Sequence, residues 1–365
     1  MSARGRRSFL QAAPAALLAA PAVVGAQPAI RWRLASSFPK GLDALFPAAE
    51  QVAQQVSAAT GGRFQIQVFA ANELVPPFGV LDAVREGTVE CGHSASYYYI
   101  GKDPTFAFDC AMPFGLNSRQ QSAWLLDGGG MALMRELFAG YNIVNFPCGN
   151  TGAQMGGWFR REIRTVADLK GLKMRVGGLA GQVVTRLGVV PQQIPGSDVY
   201  PALEKGAIDA AEWVGPYDDL KLGFYKVAPY YYYPGWAEAG PQLSIYVNRQ
   251  AHEALPEEYR HILEAACAAA HVGMQARYDA RNPAAMKKLI AGGAQLRMFS
   301  RDILLACQKE SFALYRELAA SNAGFRKVFE PWNRFRSEQH LWTRISENSV
   351  DAFAGRHPVD SPAAP

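Results

Sequence analysis

From Ile30 the stretch IRWRLASSF alternates apolar and polar side chains, the period-two pattern of a half-buried strand. A period near 3.6 takes over close to Leu42. Leu45, Phe46, Ala49, Val52, Val56 and Ala59 fall on one helical face, and Gly61-Gly62 ends the run. FQIQVF, from Phe64 to Phe69, alternates again. Strand, helix and strand in that order predict an α/β class with a mainly parallel sheet covered by helices.

Two later stretches echo each other. LDAVREGTVEC (Leu81 to Cys91) and YPALEKGAIDA (Tyr200 to Ala210) lie 119 positions apart. Each reads as a short helix, a stop glycine (Gly87 or Gly206) and a brief strand. As equivalent elements they predict two similar lobes; a chance likeness of two helix ends is the alternative. Ligands of open α/β sheets sit beyond the carboxyl ends of strands. The first copy runs into GHSASYYYIGKDP, with His93, Tyr97, Tyr98 and Tyr99, and the second into Glu212-Trp213. Both loops are therefore expected to line a cleft between the lobes.

Between the copies, TVADLKGLKMRVGG sets Leu172, Met174 and Val176 against Lys173 and Arg175, predicting a strand with one buried face. Gly177-Gly178 leaves the surroundings of Arg175 open. YYYYPGWAEAGPQLSIYVN reads as one return strand crossing between lobes, with Tyr230 to Tyr233 packing at the core edge. From Pro256 the chain is mostly helical, to a last helix near Phe325 to Phe353 and a frayed tail, RHPVDSPAAP.

Length supports the two-lobe reading, since 365 residues exceed one ordinary core. At 49% hydrophobic and 19% charged, the chain is globular. The segment RGRRSFLQAAPAALLAAPAVVGAQ has a basic start, an apolar middle and a small-residue end, Val24-Gly25-Ala26. It predicts a secretory signal over residues 1–26 and a mature chain in the periplasm, with no transmembrane helix. Arg6-Arg7 before Ser8-Phe9-Leu10 looks like a twin-arginine signal; an ordinary export signal is the alternative. Loss of Arg4, Arg6 and Arg7 lowers the net charge from +5 to +2 and leaves no basic stripe, which excludes a nucleic-acid partner. Cys91, Cys110, Cys148, Cys267 and Cys307 show no C-x-x-C spacing and read as small buried hydrophobes.

Catalytic signatures are missing: there is no H-E-x-x-H, P-loop or G-x-G-x-x-G. GHSAS lacks the last glycine of a nucleophile elbow, which leaves a secreted hydrolase using Ser94 and His93 as a distant alternative. What remains are recognition groups. Arg175 offers a planar fork that matches a carboxylate. Glu212, between Ala211 and Trp213, reads as a semi-buried acid in need of a cation or donors. Asn150 and Gln154 carry amides in a glycine-rich stretch, where turn chemistry is the competing role for Asn150. Glu238, in GWAEAG, shares the acid-beside-aromatic setting.

These residues carry a family resemblance. LKMRVGG, GVVPQQIPGSDVYPALEKGAIDAAEWVGPYDD and the VREGTVE element resemble the substrate-binding subunits of TRAP transporters, the tripartite ATP-independent periplasmic family. WRLASSFPK, GKDPTFAF, NTGAQMGGWFRREI and VAPYYYYPGWAEAGP are similar to its branch that binds 2-oxoacids. The resemblance spans nearly all of the mature chain. It implies a two-lobed periplasmic-binding-protein fold with a hinge, a long helix across both lobes and C-terminal helices. It implies no enzyme activity, but capture of a small carboxylate by closure and handover to membrane permease subunits. On this reading residues 27–150 form lobe 1, completed by about 240–280, and 151–239 form lobe 2, completed by part of 281–322. Residues 323–365 are then a C-terminal helix and tail through which a homodimer is expected.

The resemblance further implies that Arg175 clamps the ligand carboxylate. Gln154, Glu212 and the backbone carbonyl of Trp213 match positions that hold a metal cation. Glu238 and the Tyr97, Tyr98, Tyr99 loop match positions near ligand or cation, and Asn150 belongs to the same expected ligand set. Pyruvate, with a carboxylate oxygen and keto oxygen in chelating geometry, is the leading ligand; a 2-hydroxy acid such as lactate keeps the same chemistry, and a sensor without a permease keeps the same lobes. Arg175, Glu212, Glu238 and a monoanion sum to −2. A monovalent cation leaves −1 and a divalent one leaves 0, so charge alone does not choose between sodium and calcium.

Overall fold

The echo in the sequence becomes two sheets of one design. The computed structural model describes residues 29–357; the expected signal segment 1–26 and most of the tail lie outside the described residues. Sheet 1 holds β1 (Ile30–Ser36), β2 (Phe64–Phe69), β3 (Cys91–Ser94), β4 (Ile143–Asn150) and β10 (Gln242–Asn248) in the order β2-β1-β3-β10-β4. Sheet 2 holds β5 (Gly157–Phe159), β6 (Lys173–Arg175), β7 (Val190–Gln192), β8 (Ala210–Ala211), β9 (Tyr230–Tyr233) and β11 (Gln295–Met298) in the order β7-β6-β8-β5-β9-β11. In sheet 1, β1 is parallel to β2 and β3, and β10 is antiparallel to β3 and β4. In sheet 2, β6 is parallel to β7 and β8, and β5 is antiparallel to β8 and β9. The sheets are thus mixed rather than mainly parallel, and they match strand for strand, β11 being the addition.

The echoed segments occupy equivalent places. Helices α1 (Phe46–Ala59) and α2 (Val80–Arg85) belong to sheet 1; α3 (Gly178–Arg186) and α4 (Gly196–Glu204) are their counterparts in sheet 2. Helix α2 closes with Thr88 N–H donating to the Ala83 carbonyl at 2.9 Å, and α4 with Ala207 N–H donating to the Ala202 carbonyl at 2.9 Å. Both closures pass through a left-handed residue, Gly87 (φ 73°) and Gly206 (φ 71°), a conformation that Cβ-bearing residues resist.

The apolar face read for α1 is buried through Phe46, Ala49, Val52 and Val56, against Leu34 of β1 and Phe64 of β2. Phe64 also stacks on Tyr259 at 5.9 Å. Each large side chain so buried contributes about 1.5–3 kcal/mol. Tyr259 lies on the 35-residue helix that follows α5 (Pro216–Leu222), namely α6 (Glu257–Ala291). At 1.5 Å per residue α6 is about 52 Å long, enough to run from sheet 1 to α5 on the sheet-2 side, where Tyr278 donates to Asp218 at 2.6 Å. Helices α7 (Arg301–Ser321), α8 (Ala323–Ile345) and α9 (Glu347–Arg356) complete the chain. Among the described residues no helix is long and apolar enough to cross a membrane. All five cysteines are free and buried.

Three expectations are corrected. The stretch from Tyr230 to Asn248 is two strands, β9 and β10, in different sheets, because the Pro234-Gly235 break lets the chain leave sheet 2 before it enters sheet 1. Arg175 is not an exposed strand residue: Lys173 is exposed, whereas Arg175 at the cleft end of β6 is 1% exposed. Strand β11, hidden between two long helices, has no alternation to announce it. The chain passes between the sheets at 151–156 and again at 234–241. These two crossings bond to each other, Thr151 N–H to the Pro241 carbonyl (3.1 Å) and Gln154 N–H to the Glu238 carbonyl (3.3 Å).

Beneath the second sheet, Trp158 stacks on Tyr231 at 3.8 Å, and Asp219 accepts from the Trp158 indole (2.9 Å) and the Tyr231 hydroxyl (2.6 Å). Burial pushes the Asp219 carboxyl up to about 7, against the pull of those two donors. An unfolded Asp titrates near 3.9. Between these values the folded protein holds a proton that the unfolded chain has released, so stability falls as pH rises through roughly 4 to 7 and levels off above. Asp219→Asn should flatten that fall in a series of melting temperatures from pH 5 to 8; an unchanged slope would separate Asp219 from the pH dependence.

Candidate functional site

Strands β6 and β8 run side by side, with Arg175 opposite Ala211, so Arg175 and Glu212 emerge at neighbouring carboxyl ends. Glu212 N–H donates to the Arg175 carbonyl at 2.9 Å, and Arg175 Nη1 returns bonds to the Glu212 carboxylate (2.8 Å) and carbonyl. Its Nε donates to the Ile194 carbonyl at 3.3 Å, and its guanidinium lies 4.6 Å from the Trp213 ring. Arg175 and Glu212 are each 1% exposed. Among the described residues no hydrogen bond uses Arg175 Nη2. Nε and Nη1 are thus anchored inside sheet 2, and Nη2 is the one guanidinium nitrogen without a bond.

The crossings bring two more polar groups. Gln154 donates its amide nitrogen to Thr151 Oγ1 at 3.1 Å, which leaves its Oε1 buried with no partner. Glu212 Oε1 and Glu238 Oε2 are likewise buried and unpartnered. Backbone bonds tie the three segments together, since Gln154 N–H donates to the Glu238 carbonyl and Met155 N–H to the Val214 carbonyl. Unsatisfied buried oxygens cost free energy unless something meets them. Among the described residues no three His, Cys, Asp or Glu side chains cluster. Two carboxylates with an amide oxygen form a hard oxygen set, which suits sodium or calcium rather than a thiophilic metal.

Electrostatics point the same way. Burial raises the Glu212 carboxyl well above its usual range; Glu238 raises it further and Arg175 opposes. Burial pushes Glu238 up to about 7, against Arg175 and the Tyr97 hydroxyl. Burial alone would weaken the hold of Arg175 on its proton, but Glu212 together with Tyr97, Tyr98 and Glu238 outweighs it and the net shift is upward. Two buried acids share one guanidinium, and one further positive charge would balance them.

Sheet 1 supplies the opposite wall. Beyond β3 a short turn carries Tyr97, whose ring lies over Gly177 and Gly178; a Cβ on Gly177 would come within 2.6 Å of it. Gln193 donates to the Tyr98 carbonyl at 3.3 Å. A small cavity between the walls is lined by Phe38, Leu45, Tyr97, Gln154, Trp213 and Val214. Gly196 makes room for the Trp213 ring, since a Cβ there would sit 2.4 Å from it.

Not every expected residue lines this cavity: Arg175 reaches it through the Trp213 ring it packs on, and Glu212 and Glu238 lie behind that wall. Asn150 donates to the Gly240 carbonyl (3.0 Å) and accepts from Gly152 N–H (2.8 Å), so both ends of its amide serve the backbone turn. The Tyr99 hydroxyl meets Ser94 Oγ (2.9 Å) and accepts from Leu81 N–H (3.2 Å), inside the sheet-1 core. Tyr98, by contrast, lines the cavity with Tyr97 and packs edge-on against Phe78 and Tyr97. The hydrolase alternative fails on geometry: Ser94 is bonded to Ser37 (2.7 Å) and Tyr99, whereas His93, the next residue along the strand, has its ring at Ser36 (3.5 Å). Thr151, Phe38 and Leu45 were not expected; only their places beside Gln154 and after the first strand hinted at them.

The chain matches the family model described as bacterial extracellular solute-binding protein, family 7, over residues 36–322. It is 54% identical over 327 residues to a monocarboxylate 2-oxoacid-binding periplasmic protein of Nostoc sp., covering 90% of each chain. A TRAP transporter solute-binding protein from Bordetella bronchiseptica is similar with a TM-score of 0.89 and 50% identity, over 90% of this chain and 98% of that one; its crystal holds a mixed-occupancy dimer with copurified calcium and picolinate in one site. A TRAP periplasmic solute-binding protein from Pseudoalteromonas atlantica, solved with sodium and pyruvate, has a TM-score of 0.86 and 39% identity, over 88% and 98%.

The Gly177 contact yields a direct test. Gly177→Ala should push the Tyr97 ring off its seat while leaving both sheets intact. Amide hydrogen exchange over 95–100 should speed up with little change in melting temperature. Unaltered exchange would show that Tyr97 does not depend on that close approach.

Proposed function

Starting from the fact that this chain belongs to family 7 of the bacterial extracellular solute-binding proteins, we propose that it captures a small 2-oxoacid such as pyruvate, together with a sodium or calcium ion, for delivery to the membrane permease of a TRAP transporter. The observation that carries this is the pairing of an unbonded guanidinium nitrogen, Arg175 Nη2, with unpartnered buried oxygens on Gln154, Glu212 and Glu238. The relatives from Nostoc, Bordetella and Pseudoalteromonas support the same ligand chemistry. The proteins of this family are solute receptors rather than enzymes, and they act outside the cytoplasm. For this chain the export segment over residues 1–26 favours the periplasm.

Gln154 Oε1, Glu212, the Trp213 carbonyl and Glu238 would hold the cation. Once bound, it supplies positive charge that neutralises the two acids and offers coordination positions to the oxygens of a chelating anion. Arg175 reads the ligand carboxylate through Nη2, the nitrogen of its fork that Glu212 and the Ile194 carbonyl leave free. Trp213 covers the guanidinium and keeps water from the ion pair. Tyr97 closes over Gly177-Gly178 from the other lobe, and Phe38 and Leu45 leave the remainder of the cavity apolar, as a short aliphatic tail requires. The C-terminal helices carry exposed Leu341, Trp342, Ile345, Val350 and Phe353, an apolar surface that supports a homodimer through this region. Sedimentation over a concentration series reads that association, and a monomer at all concentrations would contradict it.

Arg175→Lys keeps the charge and loses the fork. Calorimetry should show pyruvate binding weakened by about 1.5–3 kcal/mol; an affinity within twofold of the parent would remove Arg175 as the carboxylate anchor. Glu212→Gln keeps the size and removes one charge, so the dependence of binding on added cation should disappear along with most of the affinity. Full binding by that variant after thorough metal removal would sink the bridging role.

A further inference from the structure

Asp43 projects from the loop after β1, between Leu42 and Ala44, both of which are buried. Its partners stand on α5, on the sheet-2 side of the cleft, and on α6, which spans both sides. Lys221 Nζ meets Asp43 Oδ1, and the Tyr217 hydroxyl donates to Oδ2 at 3.1 Å. Tyr217 and Lys221 stand four residues apart on α5, so they share one face. From α6, Arg281 donates to the Tyr217 hydroxyl at 2.7 Å and lies 3.8 Å from Asp43 Oδ1, while Arg277 reaches the Ala44 carbonyl at 3.5 Å. The Tyr217 ring lies under both cations, 4.2 Å from Lys221 and 5.0 Å from Arg281. The same loop supplies Phe38 and Leu45 to the cavity, and α5 follows the Glu212-Trp213 turn within a few residues.

From this juxtaposition we infer that Asp43 is a positioning residue for ligand capture: it never touches the ligand but holds the closed cleft shut through Lys221, Tyr217 and Arg281. The inference rests on capture by closure as proposed above. Asp43 on the sheet-1 side and Lys221 and Tyr217 on the sheet-2 side meet only when the lobes are together, so their contact favours the closed arrangement by its full free energy. The side chains are 31% exposed at Lys221, 43% at Arg281 and 50% at Asp43, which places the contact in screened surroundings. Exposed ion pairs of this kind change an equilibrium by roughly two- to fivefold. Because the bridge forms after the ligand has entered, the effect falls on release rather than on arrival.

The test is stopped-flow fluorescence with pyruvate and calcium chloride on the parent, Asp43→Asn, Lys221→Met and the double variant. Asp43→Asn should release pyruvate roughly two- to fivefold faster with an unchanged association rate. The double variant should be no worse than either single one, and high salt should erase the difference between parent and variants. Release rates that match the parent in both single variants would overturn the inference. A second readout separates it from the ligand assignment. Spin labels at Gln67→Cys and Gln182→Cys, on exposed positions of the two lobes, report their separation, and the five native cysteines are buried. If the parent binds no pyruvate, the 2-oxoacid reading fails; a smaller closed population for Asp43→Asn than for the parent at low salt would still support the bridge. Identical distance distributions for the two proteins under every condition would refute it.

Discussion

The buried ion pair between Arg175 and Glu212 is the constraint on which the site depends. Withdrawing a charge from water costs several kcal/mol even after relaxation, and such a pair is tolerated only in good geometry with its remaining donors and acceptors met. The parallel pairing of β6 and β8 supplies that geometry, because it puts the two side chains at neighbouring strand ends and lets the backbone of each serve the other. The pair is not self-sufficient. Glu238 adds a second acid, and burial raises both carboxyls. A carboxylate ligand alone would deepen the imbalance; a monovalent cation arriving with it cancels the added charge, and a divalent one relieves the imbalance as well. Charge, more than shape, therefore ties the organic ligand to the metal ion.

The placement of the acids couples occupancy to motion. Sheets 1 and 2 share one strand order, and the chain crosses between them at 151–156 and 234–241. Gln154 lies on the first crossing and Glu238 on the second, bonded to each other through their backbones. Groups that would hold the ion thus sit on the hinge itself, while Arg175 and Glu212 belong to one sheet and Tyr97 to the other. The Tyr97 ring lies on Gly177-Gly178 and the Asp43 loop on α5, the contacts that the proposed closure would make. A ligand stabilises that arrangement only to the extent that it binds the closed form better than the open one.

Much of this was legible in the sequence where a local pattern reports a local cause. Alternation marked β1 and β2, the 3.6 period marked α1, and the stop glycines Gly87 and Gly206 marked the two equivalent helix ends. Glu212 beside Trp213 announced a sheltered acid. Other features depend on tertiary surroundings that no short window contains. Alternation placed Arg175 on the exposed side of its strand, but the end of β6 is roofed by Trp213 from the neighbouring turn. Asn150 and Tyr99 have the right chemistry for a ligand, yet backbone groups distant in the chain claim their polar atoms. The tyrosine-rich return segment read as one strand because both halves are apolar and aromatic, and the two sheets that divide it are not visible in its composition. Asp43 had no signal, since its partners come from helices more than 170 positions downstream.

The central claim is that cation and 2-oxoacid bind as one unit around Arg175, Glu212 and Glu238. Calorimetric titration of pyruvate into protein stripped of metal ions, repeated with sodium and with calcium restored, tests it most directly. Heat of binding should be absent or weak in the stripped protein and return with one of the two ions. Equal affinity for pyruvate with and without cation would contradict the account.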